Sequence, residues 1–327
     1  MQISSLLGFS VSAALLAACS SIGAPNPTER IADRHGFGPN GILTPHASTI
    51  HGWILPEKKR APQYLYVADN GDGIIDIYAL PKYSLAGQIT DGINEPEGIT
   101  TDIAGNLYVA NLGNDTVTVY KKGTTTPSLA LTESNGPDDV VVVQEGTVAN
   151  WVAVGDIGGG VDLYTPGRTR VARRLTNGAI FEVFGVGVDA QNNIYAAGLG
   201  AGSKPVVIEY PYDYEPSNTW EGGINLNLSG MDLPSGVLVD KSGNIVESDY
   251  GLGVINIYAP GHTSPTSTIS VAQPERGSLN RRNARIFVPQ GSDDTVAVAH
   301  YPSGRSVHNI SIGNFVSGTA MIPAPKL

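Results

Sequence analysis

LYVANLGNDTVTVY, residues 107 to 120, is an apolar run, a turn of Gly, Asn and Asp, and an alternating run that closes on tyrosine. The phrase recurs as YLYVADNGDGIIDIY at 64–78, WVAVGDIGGGVDLY at 151–164 and IVESDYGLGVINIY at 245–258, with looser copies at 194–210 and 286–301. The closing tyrosines Tyr78, Tyr120, Tyr164, Tyr210, Tyr258 and Tyr301 stand 42, 44, 46, 48 and 43 residues apart. A period of that length belongs to four-stranded propeller blades.

The second copy shows how one unit divides. A first strand opens at Pro96-Glu97-Gly98, and Asp102-Ile103-Ala104-Gly105-Asn106 is a turn, because Asp bonds its own following backbone and Gly accepts positive φ. Leu107 to Ala110 is apolar, as expected of a strand covered on both faces. Thr116 to Tyr120 alternates with period two, and Ser128 to Thr132 supplies the outer strand.

First-strand signals also number six, and one is displaced. Five precede their own units: Pro96-Glu97-Gly98, Pro137-Asp138-Asp139, Val183-Phe184-Gly185, Pro234-Ser235-Gly236 and Pro274-Glu275-Arg276-Gly277. The sixth, Val316-Ser317-Gly318-Thr319-Ala320, stands at the C-terminus, while the unit at 64–78 has none directly before it. The expected fold is therefore all-β, a six-bladed β-propeller closed by the C-terminal strand, which removes the open edges an array would expose.

Composition agrees. Gly 40 and Pro 22 in 327 residues suit a chain of hairpins, and 15% charged residues is low. A formal charge of −10 argues against nucleic acid, which needs a basic footprint. Residues 3–18 are apolar or small and uncharged, too short a run to span a bilayer, and end in Leu16-Ala17-Ala18-Cys19. That ending resembles a bacterial lipobox, which implies lipidation of Cys19, the single cysteine. The expected organisation is a signal peptide over 1–18, a Pro/Gly-rich tether over 19–52 and the propeller over 53–327. Ser20, a non-acidic second residue of the mature chain, implies outer-membrane placement in the cell envelope.

The pattern carried by Pro96-Glu97-Gly98, Asp102, Gly105 to Asn111 and Val117 to Tyr120 resembles NHL-repeat propellers and the gluconolactonase-type six-bladed propellers. Gluconolactonase-like enzymes hold a divalent metal on the propeller axis, with ligands that include positions just before the first-strand glycine. Carried over, those positions are Glu97, Asp138, Phe184, Ser235, Arg276 and Ser317. Two are carboxylates, and Arg276 sets a permanent cation on the same rim. A second polar set, Asp69, Asn111, Asp156 and Asp249, follows the second strands, where loop ends gather binding residues or simply bond turn backbone.

No GxSxG, no HExxH and no free thiol after lipidation offers a nucleophile. The leading expectation is a monomeric, lipid-anchored scaffold without cofactor that binds a protein, glycan or small polar ligand on one face, through a channel rim of Glu97, Asp138, Ser235, Arg276, Asp69, Asn111, Asp156 and Asp249. The alternative is a calcium- or zinc-dependent lactonase-type hydrolase using Glu97 and Asp138, with Asp69 or Asp249 as further ligand or base. Tyr212, Tyr214 and Trp220 cluster in the long connection of the fourth unit, as a stacking platform or as packing over a blade edge.

Overall fold

The computed structural model describes residues 63–133, 135–212, 219–291 and 293–324. The signal peptide and tether, Cys19 included, lie outside the described residues, as does Tyr214. Among those described, strands dominate and the helical content is two single 3₁₀ turns, Leu112–Asn114 and Gly146–Val148.

Six antiparallel sheets form the blades of a β-propeller. Blade 1 runs, from the axis outward, Val316–Ile322, Gln63–Asp69, Ile74–Leu80 and Ser84–Ile89, so the C-terminal strand pairs with the first described strand and closes the ring. Blade 2 is Pro96–Thr101, Leu107–Asn111, Thr116–Tyr120 and Leu129–Thr132. In blades 3, 4 and 5 the inner strands are Pro137–Val142, Glu182–Val188 and Pro234–Val239. Blade 6 has a short inner strand, Ser278–Leu279, preceded by isolated bridges at Pro274 and Arg276. Blade 3 carries a fifth strand, Thr219–Glu221, which arrives from the blade 4 insert and lies parallel to Arg173–Thr176.

The third strands are buried on both faces by neighbouring blades, and the core is accordingly a ring of seams. One cluster joins Leu65, Val67 and Met321 of blade 1 to Phe287, Val296 and Ile310 of blade 6, so the closing seam is as apolar as the others. Each Val, Leu or Ile buried this way contributes roughly 1.5–3 kcal/mol. Four closing tyrosines cross the seams: the hydroxyls of Tyr120, Tyr164 and Tyr258 donate to the carbonyls of Asp91, Thr132 and Ser229, at the outer end of the preceding blade, and that of Tyr301 donates to the Asp240 carboxylate of blade 5.

The first-strand glycines have a steric cause. A Cβ on Gly98 would stand 2.0 Å from Asp139 Oδ1, and one on Gly318 would stand 2.5 Å from the Glu97 carbonyl oxygen. Inner strands converge on the axis, and only glycine leaves room for the neighbouring backbone. The hairpin turns share another device: Gly73, Asp115, Gly159, Gly253 and Asp294, each immediately before a third strand, all take the left-handed conformation.

Candidate functional site

Glu97, Asp138 and Arg276 come from the first turns of the inner strands of blades 2, 3 and 6, and the fold brings them together on the axis. In blade 6 the chain interrupts its inner strand at Arg276, whose N–H donates to the Ser317 carbonyl and whose carbonyl accepts from Thr319 N–H. The side chain is thereby turned inward. Its Nη1 donates to Glu97 Oε2 at 3.0 Å and Glu275 Oε2 at 3.3 Å, its Nη2 to Asp138, and its Nε to the Phe184 carbonyl at 2.9 Å. One guanidinium thus ties blades 2, 3, 4 and 6. Arg276 is 5% exposed and Glu97 1%. Burial alone would pull the arginine pKa down, and the charges of Asp138, Glu97 and Glu275 more than reverse that. Glu97 Oε1 accepts from Asn70 Nδ2, which also donates to the Pro96 carbonyl.

Ser235 and Ser317 occupy the matching positions in blades 5 and 1, but face neighbouring backbone. Their hydroxyls lie 2.6 Å from the carbonyls of Pro274 and Pro96, each in the next blade. Asp139, one residue beyond Asp138, accepts from Val140 and Val186 N–H, and burial pushes its carboxyl up to about 7. These groups sew the inner strands together.

The axial donors do not fit the divalent cation that the gluconolactonase resemblance implies. A hard cation needs several free oxygens and no cation beside them. Here both Glu97 oxygens are engaged, and the guanidinium stands where the metal would.

Asp69, Asn111, Asp156 and Asp249 share the face on which the inner strands begin, since Asn111, Asp156 and Asp249 register with Pro96, Pro137 and Pro234. They are buried rather than displayed on a rim, and each engages the backbone of its own blade's turns. Asp69 accepts from Asp72 N–H, Asn111 from Asn94 N–H, Asp156 from Gly158 N–H, and Asp249 from Asp232, Leu233 and Leu252 N–H. Burial raises the Asp69 carboxyl to about 7.

Asp156 belongs to a larger constellation that the repeat reading does not single out. Arg174, from the outer strand of blade 3, donates to Asp156 and to Asp162, whose oxygen lies 3.0 Å away. Gly160 makes room, since a Cβ there would stand 2.4 Å from the guanidinium carbon. Glu133, at the end of blade 2, accepts from Tyr164 Oη, and burial together with the Asp162 charge raises its carboxyl to about 8. A sequence signal for this exists. Asp162 stands two residues before a closing tyrosine, where other blades have Asp76, Thr118 and Asn256. In blade 5 that position serves Glu247, wholly buried, whose Oε2 accepts from Asn256 and whose carboxyl burial pushes well upward.

Beyond Arg276 the axis is a narrow cavity of about 80 Å³, walled by Val140, Val186, Val237 and Leu279 with Ser278 and Thr319. It is room for a few waters. Two large apolar side chains, Phe181 and Leu252, each 53% exposed, rise on the face where the inner strands begin. The aromatic insert of blade 4 packs instead: Trp220 meets Tyr210 edge-on at 5.8 Å, and its strand covers the outer edge of blade 3. Tyr212 stays 40% exposed, with its hydroxyl on Thr147.

No family model matches the chain. A PE-PGRS family protein of Mycobacterium tuberculosis is 41% identical over 49 residues, which are 15% of this chain and 11% of that protein, so the chain spans a small part of that relative's length. Solved structures match far more of it. A chain of a nidogen/laminin complex superposes with a TM-score of 0.64 at 12% identity, covering 79% of this chain and 98% of its own. A chain of Kuenenia stuttgartiensis hydrazine synthase does so with a TM-score of 0.55 at 11% identity, covering 79% and 86%. Likeness at such identity is likeness of fold, and it agrees with the six-bladed β-propeller.

Proposed function

We propose that the protein is a lipid-anchored scaffold of the bacterial cell envelope, held at the outer membrane through Cys19, whose propeller binds a protein partner as a monomer and without a cofactor. The observation that carries this reading is the closed axis. The carboxylates a hydrolase of this architecture would use are spent on Arg276. What remains available on that face is the outer surface, with Phe181 and Leu252 as apolar anchors of the kind that dominate protein contacts. The likeness of fold to a chain from a nidogen/laminin complex is in keeping with a binding role.

Photo-crosslinking tests it. A crosslinking residue at Phe181 or Leu252 is expected to yield a discrete adduct in intact cells, and one at Ile103, exposed on the opposite face, is not. Adducts from Ile103 alone, or none from either face position, would overturn the assignment. For the anchor, Cys19→Ser is expected to abolish fatty-acid labelling and to move the protein from the membrane to the soluble fraction. Unchanged labelling would refute lipidation at that residue.

A further inference from the structure

Away from the axis, where blades 2 and 3 meet, Glu133, Asp156 and Asp162 bring one carboxylate oxygen each to within 4.8 Å of one another. All three residues are buried. Two oxygens of the cluster, Glu133 Oε2 and Asp162 Oδ1, accept no hydrogen bond from outside the pair, although Glu133 is 4% exposed and Asp162 2%. A buried carboxylate oxygen with no donor is costly, so either a proton shared by the two carboxyls or a cation between them must satisfy these oxygens.

We propose that this cluster is a calcium site, structurally distinct from the axis, that joins blade 2 to blade 3. Three arguments support the assignment. The separations match, because oxygens around calcium at 2.3–2.6 Å lie at most about 5 Å apart. The donors match, being all oxygen and anionic, with neither the nitrogen nor the sulfur that zinc prefers. Charge points the same way: three carboxyl groups face a single built-in cation, the Arg174 guanidinium, which bonds the two acids of its own blade and not Glu133. Arg174 bonds both Asp156 oxygens, so the cation would displace it, and its side chain, 22% exposed against 5% for Arg276, has solvent to move into. Tyr164 Oη, on Glu133, completes the polar wall.

The full chain, stripped with a chelator, is titrated with calcium chloride by calorimetry and by thermal melting, with magnesium and sodium chloride as ionic-strength controls. One calcium bound per chain is expected, with a Tm rise of about 5 °C at a hundredfold excess over Kd. Glu133→Gln should lose both, while Ser235→Ala, at the axis, keeps both. Terbium, excited through tyrosine, should luminesce with the wild-type protein and be quenched by calcium. That measurement stands even where the Glu133 variant fails to fold. Absence of calcium binding to the wild-type chain would overturn the proposal and leave a shared proton between Glu133 and Asp162. So would a calcium response undiminished by Glu133→Gln.

Discussion

Replacing Arg276 with methionine removes the guanidinium that bonds Glu97, Asp138 and Glu275, all of them buried. Methionine retains the length of the arginine stem, so the change is chiefly one of charge. The stranded carboxylates must then stay ionised without a partner or take up protons. Protonating one ordinary glutamate at pH 7 costs about 1.36 kcal/mol for each of some 2.7 pH units, roughly 3.7 kcal/mol. That agrees with the ~3–5 kcal/mol seen when one partner of a buried ion pair is deleted. The expected loss is therefore about 4 kcal/mol at pH 7, read as a fall in the urea midpoint followed by tryptophan fluorescence. At pH 5 the same proton costs about 1 kcal/mol, and the penalty should shrink accordingly. Adding Glu97→Gln, Asp138→Asn and Glu275→Gln to Arg276→Met should recover most of the midpoint, because a neutral cluster leaves no charge to strand. A midpoint within ~1 kcal/mol of wild type at pH 7, or a loss that neither lower pH nor the neutral partners relieve, would refute the reasoning.

The closing tyrosines offer an internal contrast: Tyr258→Phe deletes the bond to the Ser229 carbonyl and should cost ~1 kcal/mol, whereas Tyr210 has a buried hydroxyl with no partner, so Tyr210→Phe should be neutral or stabilising, as paired urea melts will show. Glu247 has a folded pKa raised above its unfolded value, so its favourable contribution is complete below about pH 4.3 and is lost as pH climbs toward the folded value. Glu247→Gln should therefore gain on wild type, by up to ~1.4 kcal/mol per pH unit, as pH rises above about 5, and parallel stability profiles would contradict this. Truncation after Asn314 deletes the inner strand of blade 1, exposes the edge of Gln63–Asp69 and opens the seam to blade 6; loss of cooperative unfolding is expected, and a cooperative melt near the wild-type temperature would argue against ring closure as the source of stability.

The blades were legible because their signals are local. A tyrosine stands at or near the end of each third strand because its ring fills a seam, and in four blades its hydroxyl reaches back to the preceding blade. The displaced Val316-Ser317-Gly318 could be assigned to blade 1 because every other copy of that signal already had an owner. The axial cluster was half legible. The spacing placed Glu97, Asp138 and Arg276 on one rim, but that the arginine binds both acids depends on a break in the blade 6 strand that aims its side chain inward. Glu275 and Asn70, which complete the cluster, occupy no repeated position. Asp69, Asn111, Asp156 and Asp249 recur at matched places, and their shared engagement with turn backbone explains the recurrence. Glu133 was invisible for the opposite reason, since it meets Asp162 across a blade boundary that no periodicity describes.

Polar groups at the two sites meet the same geometric demand by different means. At the level of Gly98 and Gly318 the inner strands approach too closely for a side chain between them, so cohesion there rests on directed bonds. One arginine serves four blades because the ring's narrow end brings four acceptors within reach of a single planar donor. Farther out, at the junction of blades 2 and 3, the strands diverge and Arg174 reaches only Asp156 and Asp162 of its own blade, leaving Glu133 of blade 2 beyond it. At the axis the cation is built into the chain, its guanidinium bonding acids from three blades. At the outer junction Arg174 reaches the acids of one blade only, and Glu133 is the group for which the proposed cation would come from solution.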